Sequence, residues 1–146
     1  MATHILIPLD DSTPAQHALQ FACDIHPTSQ ITVLHVDDTT AADPGEAVTD
    51  RSLSDGGEIP HQRDRVDTTD ALLRNAEVTA AEQGVDISTE SLGGDPAATI
   101  MACAEEQAID HIIIGIHGKS DPKQLAIGTV AKTVAHNSSI PVTVVQ

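Results

Sequence analysis

Residues 111–130 read HIIIGIHGKSDPKQLAIGTV. The stretch opens on a short apolar run, 111–114, of the kind expected of a strand at the centre of a parallel sheet, covered on both faces. A loop follows in which Gly115 and Gly118 stand three apart, and Gly128-Thr129 opens the next helical pattern. That helix, near 127–138, carries Ile127, Val130, Ala131 and Val134 on its inner face. A buried strand passing through a glycine loop into a helix is the building unit of an α/β fold.

The same alternation extends in both directions. Upstream, Asp95 and Pro96 read as cap and first residue of a helix that turns Ile100, Met101, Ala104 and Ala108 inward. Before it come a strand at 85–92 and a helix at 63–83, with Val66, Leu73, Ala76 and Ala80 on one side and Gly84 as its stop. Nearer the start, strands are expected at 4–9 and 30–36. Between them lies a helix capped by Thr13, with Pro14 at its first position and Ala15, Ala18, Leu19, Ala22 and Ile25 facing the core. Downstream, 140–145 (IPVTVV) forms the closing strand.

Five strands alternating with helices imply an α/β fold of Rossmann-like type: an open five-stranded parallel sheet with helices on both faces. One domain, 1–146, accounts for the whole chain. Segment 37–62 is polar, acidic and dotted with Gly and Pro, and reads as a flexible loop, with a nucleotide-gating lid as the sharper alternative. In such sheets ligands bind beyond the carboxyl ends of the strands. The turns at Asp10–Thr13, Val36–Asp38, Gly93–Asp95 and Gly115–Gly128 all fall on that edge.

Composition narrows the partners. The chain has 22 acidic against 7 basic residues, a net charge of −15, no Trp or Tyr, and Phe21 as its one aromatic. Such a surface repels nucleic acid and anionic lipid, and offers no platform for stacking bases. No nucleic-acid or membrane partner is therefore expected, and no apolar stretch approaches the ~20 residues of a membrane helix. The start, MATHILIPLD, lacks the pattern of a signal peptide, so a cytoplasmic protein is expected. Cys23 and Cys103 fit no metal or redox spacing and read as buried thiols. The acidic, lysine-poor composition is similar to that of proteins from salt-loving archaea, where salt screens self-repulsion.

The glycine loop suits phosphate. Glycines let backbone N–H groups approach an anion, and a helix start supplies unpaired donors and a positive dipole end. Thr129 adds a hydroxyl, and all three lysines, Lys119, Lys123 and Lys132, fall in or just after this loop. GKS at 118–120 is not a P-loop, because the required glycine five residues earlier is Ile113. A G-x-G-x-x-G dinucleotide fingerprint is absent as well.

The spacing G-x2-G-x9-G-[ST], met by Gly115, Gly118, Gly128 and Thr129, resembles the ATP-binding signature of universal stress proteins. ILIPLDDS, TVLHVDD, GGDPAATI and IPVTVV resemble the family's first strand, second strand, helix start and ending. The resemblance implies sheet order 3-2-1-4-5 and a regulatory or stress-survival role. It implies ATP as the cofactor, with Mg2+ beside it an open question. Pro8, Leu9 and Asp10 with Val36 would hold the adenosine end. Gly115, Ile116, His117, Gly118 and Lys119 with Gly128, Thr129 and Val130 would wrap ribose and phosphates. It also implies a homodimer through the last strand, Ile140 to Gln146, whose apolar, uncharged edge would otherwise invite pairing.

Other chemistries fit less well. Asp10-Asp11 is similar to the Mg2+-holding pair of response-regulator receivers, but the lysine those need after the fifth strand is missing. The eight histidines show no zinc-ligand spacing. No catalytic triad can be placed, so dedicated catalysis is not expected and no metal or catalytic residue is assigned; slow ATP hydrolysis stays open. The alternative function is a dimeric adaptor of the same fold that binds no nucleotide.

Overall fold

The computed structural model describes residues 3–10, 12–37, 60–116 and 128–146, the side chains of 60–68 excepted. Along the chain run β1 (His4–Pro8), α1 (Thr13–Ile25), β2 (Gln30–Asp37), α2 (Pro60–Glu82) and β3 (Ile87–Gly93). These are followed by α3 (Pro96–Glu106), β4 (His111–Gly115), α4 (Thr129–Asn137) and β5 (Val142–Val145). All four strand pairings are parallel, and the sheet order is β3-β2-β1-β4-β5. Both features match the sequence-based expectation. Asp37 closes β2 and Pro60 opens α2, so the expected 37–62 loop is trimmed at both ends; 38–59 lie outside the described residues.

Strand side chains alternate between two aliphatic layers, as the pleat requires. On one face Ile5, Ile7, Ile31, Val33 and Ile113 pack with α1 and α2. On the other Leu6, Leu34, Ile112 and Ile114 pack with α3 and α4. Ala15, Ala18 and Ala22 let α1 lie close on the sheet, and Ala76 and Ala80 do the same for α2. Cys23 lies in the first layer and Cys103 in the second. Burial pushes both thiols up, with Asp24 adding to it at Cys23, and Glu90 and Glu106 at Cys103.

Three local expectations are corrected. The cap of α1 is Ser12, not Thr13: its Oγ accepts from the Ala15 N–H at 3.3 Å. Pro14 is tolerated one position later than expected, because no N–H in the first turn has a partner inside the helix. Ile25, assigned to the core, is 57% exposed, since it ends α1 and the buried seam passes through Ala22 and Cys23.

Ala108, also assigned to the core, is exposed and lies beyond the end of α3 with φ 53°. There the Ile109 N–H donates to the Ala104 carbonyl (2.9 Å) and the Ala108 N–H to that of Glu105 (3.3 Å). That is a Schellman cap. The same pair of bonds ends α2 with Gly84 in the equivalent place, at φ 73°: Val85 to Ala80 and Gly84 to Ala81, both 2.9 Å. An alanine in the left-handed region carries strain that glycine does not. Ala108→Gly is expected to raise the unfolding free energy by about 0.5–1 kcal/mol, part of the relief being offset by a freer unfolded chain. Urea denaturation reads this, and a variant less stable than the parent would contradict it.

Candidate functional site

The chain steps from β1 to β2 to β3 in one direction and then crosses to β4 and β5 on the other side. The change of direction falls between β1 and β4, and beyond their carboxyl ends such a sheet leaves its ligand crevice.

On the β1 side, Pro8 ends the strand and Leu9 is buried in the first layer. The Leu9 N–H donates to the Leu34 carbonyl (2.8 Å), and its own carbonyl accepts from His35 Nδ1 (3.2 Å). Leu9 thus braces the wall with both backbone groups. Asp10 Oδ1 accepts the Ser12 N–H at 2.9 Å, an Asx turn that steers the chain into α1, and the Asp10 carbonyl accepts from Gln16 Nε2 at 3.3 Å. Neither His35 nor Gln16 was singled out from sequence as a site residue. The His-Val pair in TVLHVDD was the available signal for the first.

On β2, peptide direction alternates residue by residue. The Leu34 carbonyl faces β1, where Leu9 donates to it, and that of Asp37 faces β3, where it accepts from the Gly94 N–H at 3.2 Å. Val36, two residues after Leu34, therefore turns its peptide toward the space that β1 vacates when it bends into α1. Its side chain packs on the second layer.

On the β4 side, Gly115 is buried against the first turn of α1. A Cβ there would meet the Ala15 N and the Pro14 carbonyl carbon, each at 2.8 Å. This glycine serves close packing of helix on strand. The Ile116 N–H donates to the Val145 carbonyl (2.7 Å), and the Ile116 carbonyl accepts from the Gly128 N–H (2.6 Å). The two ends of the glycine loop are therefore pinned together at the switch point. His117, Gly118, Lys119 and Lys123 lie outside the described residues.

Of the helix starts on this edge, those of α1, α3 and α4 have described caps. Ser12 seals the first and Asp95 the second, its Oδ2 accepting from the Ala98 N–H at 3.0 Å. The cap of α4 is Gly128, which makes no side-chain hydrogen bond to the first turn. Thr129 is exposed at its first position, while Val130 turns into the second layer. An uncapped helix start presents N–H donors and positive dipole charge, the chemistry that receives an anion.

A profile of the universal stress protein family matches residues 1–146. The chain belongs to that family. The stress response protein NhaX of Bacillus subtilis is 28% identical over 163 residues, covering 99% of this chain and 98% of that protein. Among solved structures, MJ0577 of Methanocaldococcus jannaschii superposes with a TM-score of 0.79 at 25% identity, covering 99% and 96% of the two chains. UspA of Lactobacillus plantarum does so with 0.77 at 28%, covering 99% and 97%. More distant members sharing the fold were solved with cAMP, with dAMP (Archaeoglobus fulgidus) and with AMP (Arabidopsis thaliana), each with a TM-score of 0.65 and 16–19% identity.

A separate concavity of about 380 Å3 opens on the opposite edge, walled by Met101, Ile109, Ile112, Asn137 and Ile140, and none of the expected binding residues lines it. Gly115→Ala should cost about 1–3 kcal/mol of stability by forcing α1 off β4. Urea denaturation measures it, and parental stability in the variant would show that α1 can shift without loss.

Proposed function

We propose that this family member binds ATP at the crevice between β1 and β4 and uses the bound nucleotide in a regulatory, stress-survival role. The observation that carries the reading is the bond from the Gly128 N–H to the Ile116 carbonyl. It gathers both ends of the G-x2-G-x9-G-T loop beside a helix start whose cap residue is glycine, whereas the caps of α1 and α3 use a side chain. Phosphates would take the amides of Thr129 and its neighbours, and the Val36 peptide would face the adenine edge. The AMP, dAMP and cAMP held by other proteins of the family support an adenine nucleotide as the ligand class.

Isothermal titration with ATP and Mg2+ in molar KCl tests this, beside the same titration of Gly118→Val. The expected result is saturable binding by the parent chain and at least a tenfold loss in the variant, about 1.4 kcal/mol. A folded parent that binds no ATP would remove the reading and leave the dimeric adaptor.

The second part of the proposal is a homodimer formed through Ile140 to Gln146. β5 borders only β4 in the sheet order, and each of its four residues is half-buried. A free parallel edge of Val and Thr is a template for pairing with a second copy. Val144→Asp is expected to shift sedimentation from dimer to monomer while circular dichroism stays native. An intact dimer would place the interface elsewhere.

A further inference from the structure

The amino edge of the sheet, opposite the nucleotide crevice, carries a pair of histidines that the proposed function does not use. His111 opens β4 beside Ile5 of β1, and its half-buried side chain lies on the α1 face of the sheet. Its Nε2 lies 2.7 Å from Thr143 Oγ1 on β5. Against it stands His26, the residue that ends α1, with ring centroids 5.9 Å apart and planes at 70°. His26 is held there by its own backbone: its N–H donates to the Ala22 carbonyl (2.8 Å) and its carbonyl accepts from the Ser29 N–H (3.1 Å). Two imidazoles from different elements thus meet where α1, β4 and β5 come together.

The groups around the pair come from every side. From α1 there are Cys23, buried with its thiol pushed up, and Asp24, which is exposed. From β1 there is His4, which turns to the other face of the sheet and places Nε2 2.9 Å from Thr32 Oγ1. Asp110, just before β4, accepts the His4 N–H at 2.9 Å. β5 contributes the neutral Thr143, and α3 and α4 lie across the sheet. Among the described residues, the neighbour whose charge bears on His111 is His26. Burial first and His26 second hold the His111 ring below its ordinary value of 6.5.

We propose that His26 and His111 form an acid-sensitive latch, joining the end of α1 and the start of β5 to β4 while both rings are neutral and loosening them when the rings take up protons. Protonation does not itself break the bond to Thr143, because a charged ring still donates to a hydroxyl oxygen. What fails is the contact between two like charges, both of them half-buried. The unfolded chain binds the His111 proton more readily than the folded one. Stability from this site is therefore complete above pH 6.5 and is lost as the pH falls below it.

Ring titration by nuclear magnetic resonance, with amide exchange at Val142–Val145 between pH 7.5 and 5.5 corrected for intrinsic rates, tests the latch. His111 is expected to titrate below 6.5, with protection of β5 falling by up to about tenfold for each unit of that lowering. His111→Gln, which can still reach Thr143 but cannot charge, is expected to lose the pH dependence. His26→Ala is expected to move the His111 titration upward. A His111 ring titrating at or above its ordinary value, the same loss of protection in His111→Gln, or a titration unmoved by His26→Ala would each overturn the proposal. Should the glutamine variant fail to fold, the alanine variant decides.

Discussion

The approach of α1 to β4 organises the carboxyl edge of the sheet. Backbone atoms of Pro14 and Ala15 occupy the space a side chain at position 115 would need, so the helix that follows β1 leans onto β4. That lean lets Ala15, Ala18, Leu19 and Ala22 cover the layer of Ile5, Ile7 and Ile113 with no aromatic side chain in it. It also fixes where the chain leaves β1. The turn at Asp10 and the Ser12 cap come to rest beside Gly115 and Ile116, and the crevice between β1 and β4 takes its walls from that placement.

Much of this was legible in the residues. Apolar runs punctuated by Pro, Gly and Asp marked every element, and family resemblance supplied the strand order that alternation alone leaves open. What escaped were features set by tertiary contact. Ser12 and Thr13 can both cap a helix, and Pro14 after Thr13 pointed to the second, whereas the Ser12 cap goes with the packing of the first turn on Gly115. Ala108 continues the helical spacing of α3, yet the chain needs a left-handed residue there to bury Ile109 at 4% exposure and enter β4. Gly115 read as a ligand-facing glycine, and the structure gives it a packing duty that the spacing did not announce; the expected site residues His117 to Lys119 lie outside the described residues.

A net charge of −15 poses a problem for any protein that is to hold a polyphosphate. Side-chain cations are too few to solve it, and Lys132 is the only lysine among the described residues. Backbone donors would solve it differently. Their positive ends are fixed by the fold, act over one helical turn, and leave the wider surface free to stay acidic. The remaining field disfavours long polyanions, which must meet the whole surface, far more than a small ligand seated at one helix start. Glycine at the cap and threonine at the first position suit this arrangement, since neither adds a side-chain anion that would compete for the amides.

β5 touches each of the features to which function is attributed. The Val145 carbonyl receives the N–H of Ile116 at the root of the glycine loop, and the Gln146 carbonyl receives His17 Nδ1 from α1 at 2.9 Å. Thr143 meets His111 at the other end, and the outer edge is where a second copy is proposed to pair. A strand of four half-buried residues is a low-stability element, the kind that opens before the core does. Coupling among nucleotide, proton and partner requires an element with two arrangements that each of them biases. Ile5, Leu6 and Ile7 leave β1 no such freedom, because burial on both faces holds that strand in one position. β5 has contacts with each proposed site and little buried surface, so any communication between the two edges of the sheet would run along it.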